Sequence, residues 1–139
     1  MGDISIQTPE LAHVEPISHL MKQLGYTIDL KDLTSNLTSI LLSDNHEILV
    51  ASYESTIIGV IHGFYTLTIT NTPRFEISSF IIHQDHRGKG LGSIMLEKMV
   101  SNKANVQVRC NVLREEAHQF YLKHDYIETK QQKVFRKKL

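Results

Sequence analysis

The chain has 139 residues, 41% apolar and 22% charged, an ordinary globular balance that fits one domain with a sizeable core. Lys plus Arg and Asp plus Glu both total 15, so the basic excess that marks nucleic-acid binders is missing. A single cysteine, Cys110, excludes an internal disulfide; with no stretch long and apolar enough for a membrane span and no signal-peptide pattern at the N-terminus, a cytoplasmic protein is expected.

In chain order, "DISIQT" alternates and predicts a strand. "TPELAHVEPISHLMKQLGY" sets Leu11, Val14, Ile17, Leu20, Met21 and Leu24 on one helical face, with Gly25 at the C-cap and Pro16 marking a kink or a late start. "DLTSNLTSILLS" predicts a second helix with Leu33, Leu37, Ile40 and Leu41 inward. "HEILVASY" and "TIIGVIHGFYTLTI" are β-branched runs joined by "ESTI", a hairpin signature. "RFEISSFIIHQ" is a further strand. "GLGSIMLEKMVSN" is a helix with Ile94, Met95, Met99 and Val100 inward. "NVQVRCNV" is a strand and "REEAHQFYLKHDY" a helix whose first turn carries Arg114, Glu115 and Glu116. "KVFRKKL" closes the chain as a strand, with a short strand near Ile127. Strands split by a central helix predict an α/β fold with a mixed sheet and helices on both faces. Residues 1–139 are expected to form one domain.

The join between "SFII" and the third helix carries three of the chain's seven glycines, Gly88, Gly90 and Gly92, beside Arg87 and Lys89. A nucleotide P-loop fails, because Gly90 stands where Ser or Thr must follow Lys89. A dinucleotide fingerprint fails too, because Gly92 comes one residue early and Ser93 takes its place. What remains is [QR]-x-x-G-x-[GA], met by Arg87, Gly90 and Gly92. Backbone N–H groups at a helix start form a concave anion site, and glycines let a pyrophosphate approach it.

The segment "FIIHQDHRGKGLGSIMLEKM" resembles the pyrophosphate loop and following helix of the GNAT superfamily of acetyl-CoA-dependent N-acetyltransferases. "CNVLREEAHQFYLKHDY" is similar to that family's late Asn…A-x-x-F-Y segment, with Asp125 where a glycine is usual before the aromatic Tyr126. The resemblance covers the whole chain in element order and is strongest from Glu76 to Tyr126. It implies a mostly antiparallel sheet of about six to seven strands, splayed at a central parallel pair. It implies acetyl-CoA as co-substrate, with backbone groups of Phe80, Ile81 and Ile82 on the pantetheine arm and thioester. The pyrophosphate would lie against Arg87, Gly88, Lys89, Gly90, Leu91, Gly92 and Ser93, and Asn111 would bond the pantetheine arm or a water near it. Tyr121 matches the motif's tyrosine and would protonate the departing thiolate; the alternative is a packed ring beside Phe120. Glu76 would be the base, through a water; the alternative is an exposed residue paired with Arg74.

The reaction implied is direct attack of a primary amine, of a small molecule, on the thioester. Acetylation of a protein N-terminus or lysine, and an acyl-CoA-binding module without turnover, are the competing readings. His62 and Tyr65 are candidates to line the acceptor pocket and His118 to touch substrate. His83 and His86 have H-x-x-H spacing but lie at a strand end and loop, and His118 and His124 are six apart, off a shared helix face, so no metal is expected. No membrane or nucleic-acid partner is expected, and a homodimer is left open.

Overall fold

The computed structural model describes residues 3–138. Met1, Gly2 and Leu139, the last of them the end of the expected closing strand, lie outside them. The chain forms two compact units, the first running to Arg109 and the second starting at Cys110.

The first unit holds a five-stranded sheet in the order β1 (Ile4–Gln7), β2 (His46–Tyr53), β3 (Thr56–Thr68), β4 (Asn71–Ile82) and β5 (Val106–Val108). All neighbours are antiparallel except β4 and β5, which are parallel and linked through α3 (Leu91–Val100). Helices α1 (Val14–Gln23) and α2 (Leu30–Leu42) lie between β1 and β2 in sequence.

Local chemistry sets the helix limits. A short 3-10 turn, Leu11–His13, precedes α1, so Pro16 falls third in the helix, where its missing N–H costs no bond. The chain therefore starts late rather than kinking, and Leu11 is exposed instead of facing the core. Gly25 takes φ +88, and Gly25 N–H and Tyr26 N–H donate to Lys22 O and Met21 O, the Schellman closure of α1. Asp29 caps α2, its carboxylate accepting from Lys31 N–H at 2.7 Å.

Side chains alternate across a strand, so successive rungs serve opposite faces. The rung Val50, Val60 and Ile81 faces α1 and α2, in a core with Val14, Ile17, Leu20, Leu33 and Leu37. The next rung, Ala51, Gly59 and Ile82, faces α3, whose Met95 Sδ would lie 2.8 Å from a Cβ at Gly59. In α3, Leu91, Met95, Leu96 and Met99 are buried while Ile94 is exposed. Leu41 is likewise at the edge of α2's apolar stripe and open to solvent. After α3, the Lys103 ammonium is enclosed, donating to Glu47 Oε1 and Met99 O at 3.0 Å, with its charge 4.7 Å from the Phe75 ring centre.

The β2–β3 hairpin turns on Glu54 and Ser55, with φ 49 and 65, the left-handed pair a two-residue reversal demands. The β3–β4 reversal pairs Thr68 with Asn71, so these two strands form a second hairpin. In the second unit, α4 (Glu115–Lys123) opens on Glu115 and Glu116 and ends with Asp125 at φ +67. Tyr126 N–H and Asp125 N–H donate to Tyr121 O and Leu122 O, so Asp125 does here what Gly25 does for α1.

The expected strands near Ile127 and from Lys133 do not form among the described residues, and the sheet has five strands, not six to seven. A strand needs a partner ladder and a face to bury; Val134 and Phe135 have neither and are 80% and 87% exposed. The expected strand "NVQVRCNV" shrinks to Val106–Val108 because its parallel pairing stops there.

Candidate active site

The site begins with a break in the sheet. His62 faces Ser79 while Gly63 faces Ile77, so Ser78 is an extra residue on β4. Such a bulge bends and twists its strand. The ladder between β4 and β5 runs from Phe75–Val106 to Ile77–Val108 and ends at the bulge. Beyond it, Phe80, Ile81 and Ile82 pair with Ile61, Val60 and Gly59 of β3. The parallel pairing therefore stops short of Phe80, Ile81 and Ile82, the stretch where the family resemblance implied a splay.

β4 then delivers the glycine loop. His83 caps a short 3-10 turn, Gln84–His86, its Nδ1 accepting from Asp85 N–H at 3.1 Å. Arg87 Nε donates to Ile82 O at 2.8 Å, so its side chain braces the loop against the end of β4 rather than standing at a rim. Gly88 and Gly90 adopt φ +76 and +85, with Lys89 outside the left-handed region between them. Alternation of this kind turns successive N–H groups to one side. A Cβ at either glycine would meet nothing within 4 Å, so backbone angle, not a protein wall, requires glycine and the space before the loop is open. Gly90 is the N-cap of α3, its carbonyl accepting from Ile94 N–H at 3.2 Å. Buried Leu91 pins the helix start while Lys89 is exposed. Gly92 and Ser93 lie in the first turn of α3, where the helix dipole favours an anion.

On the sheet face that carries α1 and α2, Glu76 pairs in register with Phe64 of β3 and Gln107 of β5. It is 8% exposed. Gln107 Nε2 donates to Glu76 Oε1 at 2.9 Å, and Arg109 Nε lies 3.6 Å from the same oxygen. Arg74 reaches Gln107 Oε1 at 3.1 Å, not Glu76, so the exposed Glu76–Arg74 pair considered from the sequence does not form. Oε2 is the oxygen left to an incoming group.

Two residues along β3 from Phe64 stands His62, its Nε2 2.9 Å from His46 Nδ1 across the β2–β3 ladder. The two rings stack at 5.2 Å, and His46 also stacks on Phe64 at 5.2 Å. Burial, with His46 adding repulsion, pushes the His62 imidazolium down to about 4, so the ring is neutral near pH 7. His62 and Ser79 line a small cavity of about 50 Å³ whose other walls include Ile17, Met21, Leu33 and Leu37. Tyr65 points to the opposite face, edge-on to Phe75. Gln107, Arg109 and His46 were not singled out from the sequence. Each is an ordinary polar residue in a strand pattern, and only register reveals its neighbour.

In the second unit, Asn111 Oδ1 accepts from Leu113 N–H at 2.9 Å, and Asn111 O meets His118 Nε2 at 2.8 Å. Asn111 thus shapes the turn into α4, and His118 is tied to it. Tyr121 packs edge-on to Phe120 and Tyr126. Burial, and next the Cys110 thiol, raise its phenol well above the ordinary range, so it stays protonated. Among the described residues, no three His, Cys, Asp or Glu side chains gather as a metal would need, and no helix is long and apolar enough to cross a membrane.

No curated protein sequence matches the chain significantly. Solved structures share its fold. A GNAT family acetyltransferase from Staphylococcus aureus is 21% identical with TM-score 0.74, over 98% of both chains. The aminoglycoside N-acetyltransferase AAC(6')-Iy, in complex with CoA, is 14% identical with TM-score 0.82, over 99% of this chain and 96% of the other. The aminoglycoside 6'-N-acetyltransferase AAC(6')-IG from Acinetobacter haemolyticus is 13% identical with TM-score 0.82, over 97% and 99%. At these identities the likeness shows the fold alone. The family model for an acetyltransferase (GNAT) domain matches residues 44–128, which include the bulged strand, the glycine loop and α4. The chain belongs to the GNAT acetyltransferases.

Proposed function

We propose that the protein moves the acetyl group of acetyl-CoA to the primary amine of a small molecule, by direct attack, with the whole chain working as one acetyltransferase domain. One observation carries this reading: the left-handed Gly88 and Gly90 open α3 at the end of a strand that has just parted from its parallel neighbour. The amides from Arg87 to Ser93 would hold the pyrophosphate, where a helix start offers donors and favourable dipole. The parted edge of β4 at Phe80, Ile81 and Ile82 would take the pantetheine arm and polarise the thioester carbonyl. Asn111 is assigned to that arm by the family motif; in the free protein its side-chain oxygen is committed to Leu113 N–H, so it would act through its amide nitrogen.

The amine must be neutral to attack. Glu76 would take its proton through a water at Oε2, while Gln107 and Arg109 fix the carboxylate by Oε1. The C–N bond forms, the C–S bond breaks, and the second amine proton ends on the CoA sulfur. Tyr121, held protonated, suits that last donation. A mostly apolar cavity of about 50 Å³ beside His62 suits the apolar end of a small amine better than a polyol. The AAC(6') enzymes of like fold act on aminoglycosides, which supports a small-molecule acceptor here without naming it.

The test is release of free CoA thiol from acetyl-CoA with 2-phenylethylamine, spermidine, lysine, kanamycin and an unstructured peptide in turn. Turnover of a free amine, lost in Glu76→Gln near neutral pH and partly regained at high pH where the amine is already neutral, is the expected result. Turnover of the peptide alone would replace this reading with protein acetylation.

A further inference from the structure

An amine that arrives as an ammonium sheds a proton inside a half-enclosed site, and that proton has to leave. We propose that His62 and His46 form a relay that carries it from Glu76 to solvent. The inference rests on Glu76 receiving the proton, as above. Glu76 faces Phe64 across the ladder, and His62 lies two residues from Phe64 on the same strand, hence on the same face. Cβ atoms of such diagonal neighbours are about 7–8 Å apart, a span that one or two waters bridge. His62 lines the cavity, and its Nε2 contacts His46 Nδ1 at 2.9 Å. That leaves His62 Nδ1 on the cavity side and His46 Nε2 as the outlet. Stacking of His46 on both His62 and Phe64 holds the two rings in line.

The balance is simple. The ammonium gives one proton, by way of water and Glu76, to His62 Nδ1. His62 passes its own Nε2 proton to His46 Nδ1, and His46 releases its Nε2 proton to solvent. Each ring ends with as many protons as it began with, and exchange with water resets their tautomers. A His62 ring that holds a proton only near pH 4 transmits one without storing it. Glu76 by itself is a poor exit, since the groups on its Oε1, the Gln107 amide and the Arg109 guanidinium, are donors that accept no proton to pass on.

The experiment uses the full chain in weakly buffered solution, with acetyl-CoA and whichever amine of the panel turns over. His46→Gln should lower kcat by about 10²-fold, the low end for general acid–base roles, with KM for acetyl-CoA unchanged. Added imidazole should restore most of that loss in His46→Gln and none of it in Glu76→Gln. A second readout needs no turnover: in the 15N-labelled wild-type protein at pH 7, His62 and His46 should each carry their ring proton on Nε2. If Glu76→Gln is as fast as wild type, or no amine is acetylated, the reading of Glu76 fails and the relay falls with it. If Glu76→Gln is slow but His46→Gln matches wild type, or imidazole does not rescue it, or His62 carries its proton on Nδ1, the relay alone is overturned.

Discussion

Gly92 separates two reasons for glycine that Gly90 combines. At Gly90, φ +85 means any side chain adds strain of about 1–2 kcal/mol before a ligand is considered. Gly92 sits in the first turn of α3 without a positive φ. Gly92→Ala should therefore leave the fold intact or stabilise it by up to about 1 kcal/mol, as in any helix. Its Cβ would still stand among the amides proposed to hold pyrophosphate. Calorimetry should show acetyl-CoA binding weakened at least about tenfold, and more in Gly90→Val. Unchanged affinity in a folded Gly92→Ala would remove the loop from the cofactor site. At Tyr121, Phe keeps the ring packed on Phe120 and Tyr126 and deletes only the hydroxyl. A fall in kcat of about 10²-fold with Kd for acetyl-CoA unchanged is expected for a proton donor, because that bond strengthens only as charge grows on sulfur. A drop under about threefold, with single-turnover rates showing chemistry to be limiting, makes Tyr121 a packing residue. His62 also links stability to pH. Its folded value, about 4, lies below the unfolded 6.5, so between them the unfolded chain binds more proton. Its contribution is whole above pH 6.5 and is lost as pH falls toward 4, by at most about 1.4 kcal/mol per unit and less for partial solvent contact. Melting temperature followed from pH 7 to 4 should fall less steeply in His62→Gln than in wild type.

Elements were legible where one periodicity or one cap decided them. The alternation of "DISIQT", the stripe through Leu33 and Leu37, and the Gly25 stop all appear as the pattern predicts. The glycine loop was legible as a turn into a helix, and Gly88 and Gly90 take left-handed φ where α3 starts. Pairing beyond the β2–β3 hairpin was not legible. The bulge at Ser78, the end of β5 at Val108 and the missing closing strand depend on which strand lies beside which, and "KVFRKKL" carries no mark of a partner. The same blindness hid Gln107 and His46, whose roles exist only through register with Glu76 and His62. Register also distinguishes two glycines that look alike in "TIIGVIHGF". A Cβ at Gly59 would meet the flexible thioether of Met95 at 2.8 Å; at Gly63 it would run into the Phe75 ring and meet Glu76 O at 2.8 Å. Phe75 is fully buried and cannot retreat. Gly63→Ala should thus cost about 1–3 kcal/mol in denaturant unfolding, and Gly59→Ala less. Equal costs would mean that Phe75 has room the packing does not show.

At the scale of the whole molecule, a site that is open before the loop and formed largely by backbone predicts strong coupling between cofactor and stability. Acetyl-CoA would bind the folded chain and not the unfolded one, because left-handed glycines, a parted strand edge and a helix start exist together only in the fold. Such a ligand stabilises by RT ln(1 + [L]/Kd), about 2.7 kcal/mol at a hundred times Kd. For a chain of this length that is a rise in melting temperature of roughly 10 °C, and each further tenfold in ligand adds about 1.4 kcal/mol. The logarithmic form matters more than the size of the rise. Crowding or non-specific anion effects saturate early or follow ionic strength, whereas a single site continues to climb with ligand at constant salt. Free CoA should give nearly the same rise as acetyl-CoA, since on the proposed reading pyrophosphate and pantetheine would supply the contacts and the acetyl group adds few atoms. Gly92→Ala should shift the whole curve to higher ligand concentration without changing its slope. A melting temperature that stays flat over three decades of acetyl-CoA, in a chain shown to be folded, would contradict the loop assignment directly, whatever amine is later found to be acetylated.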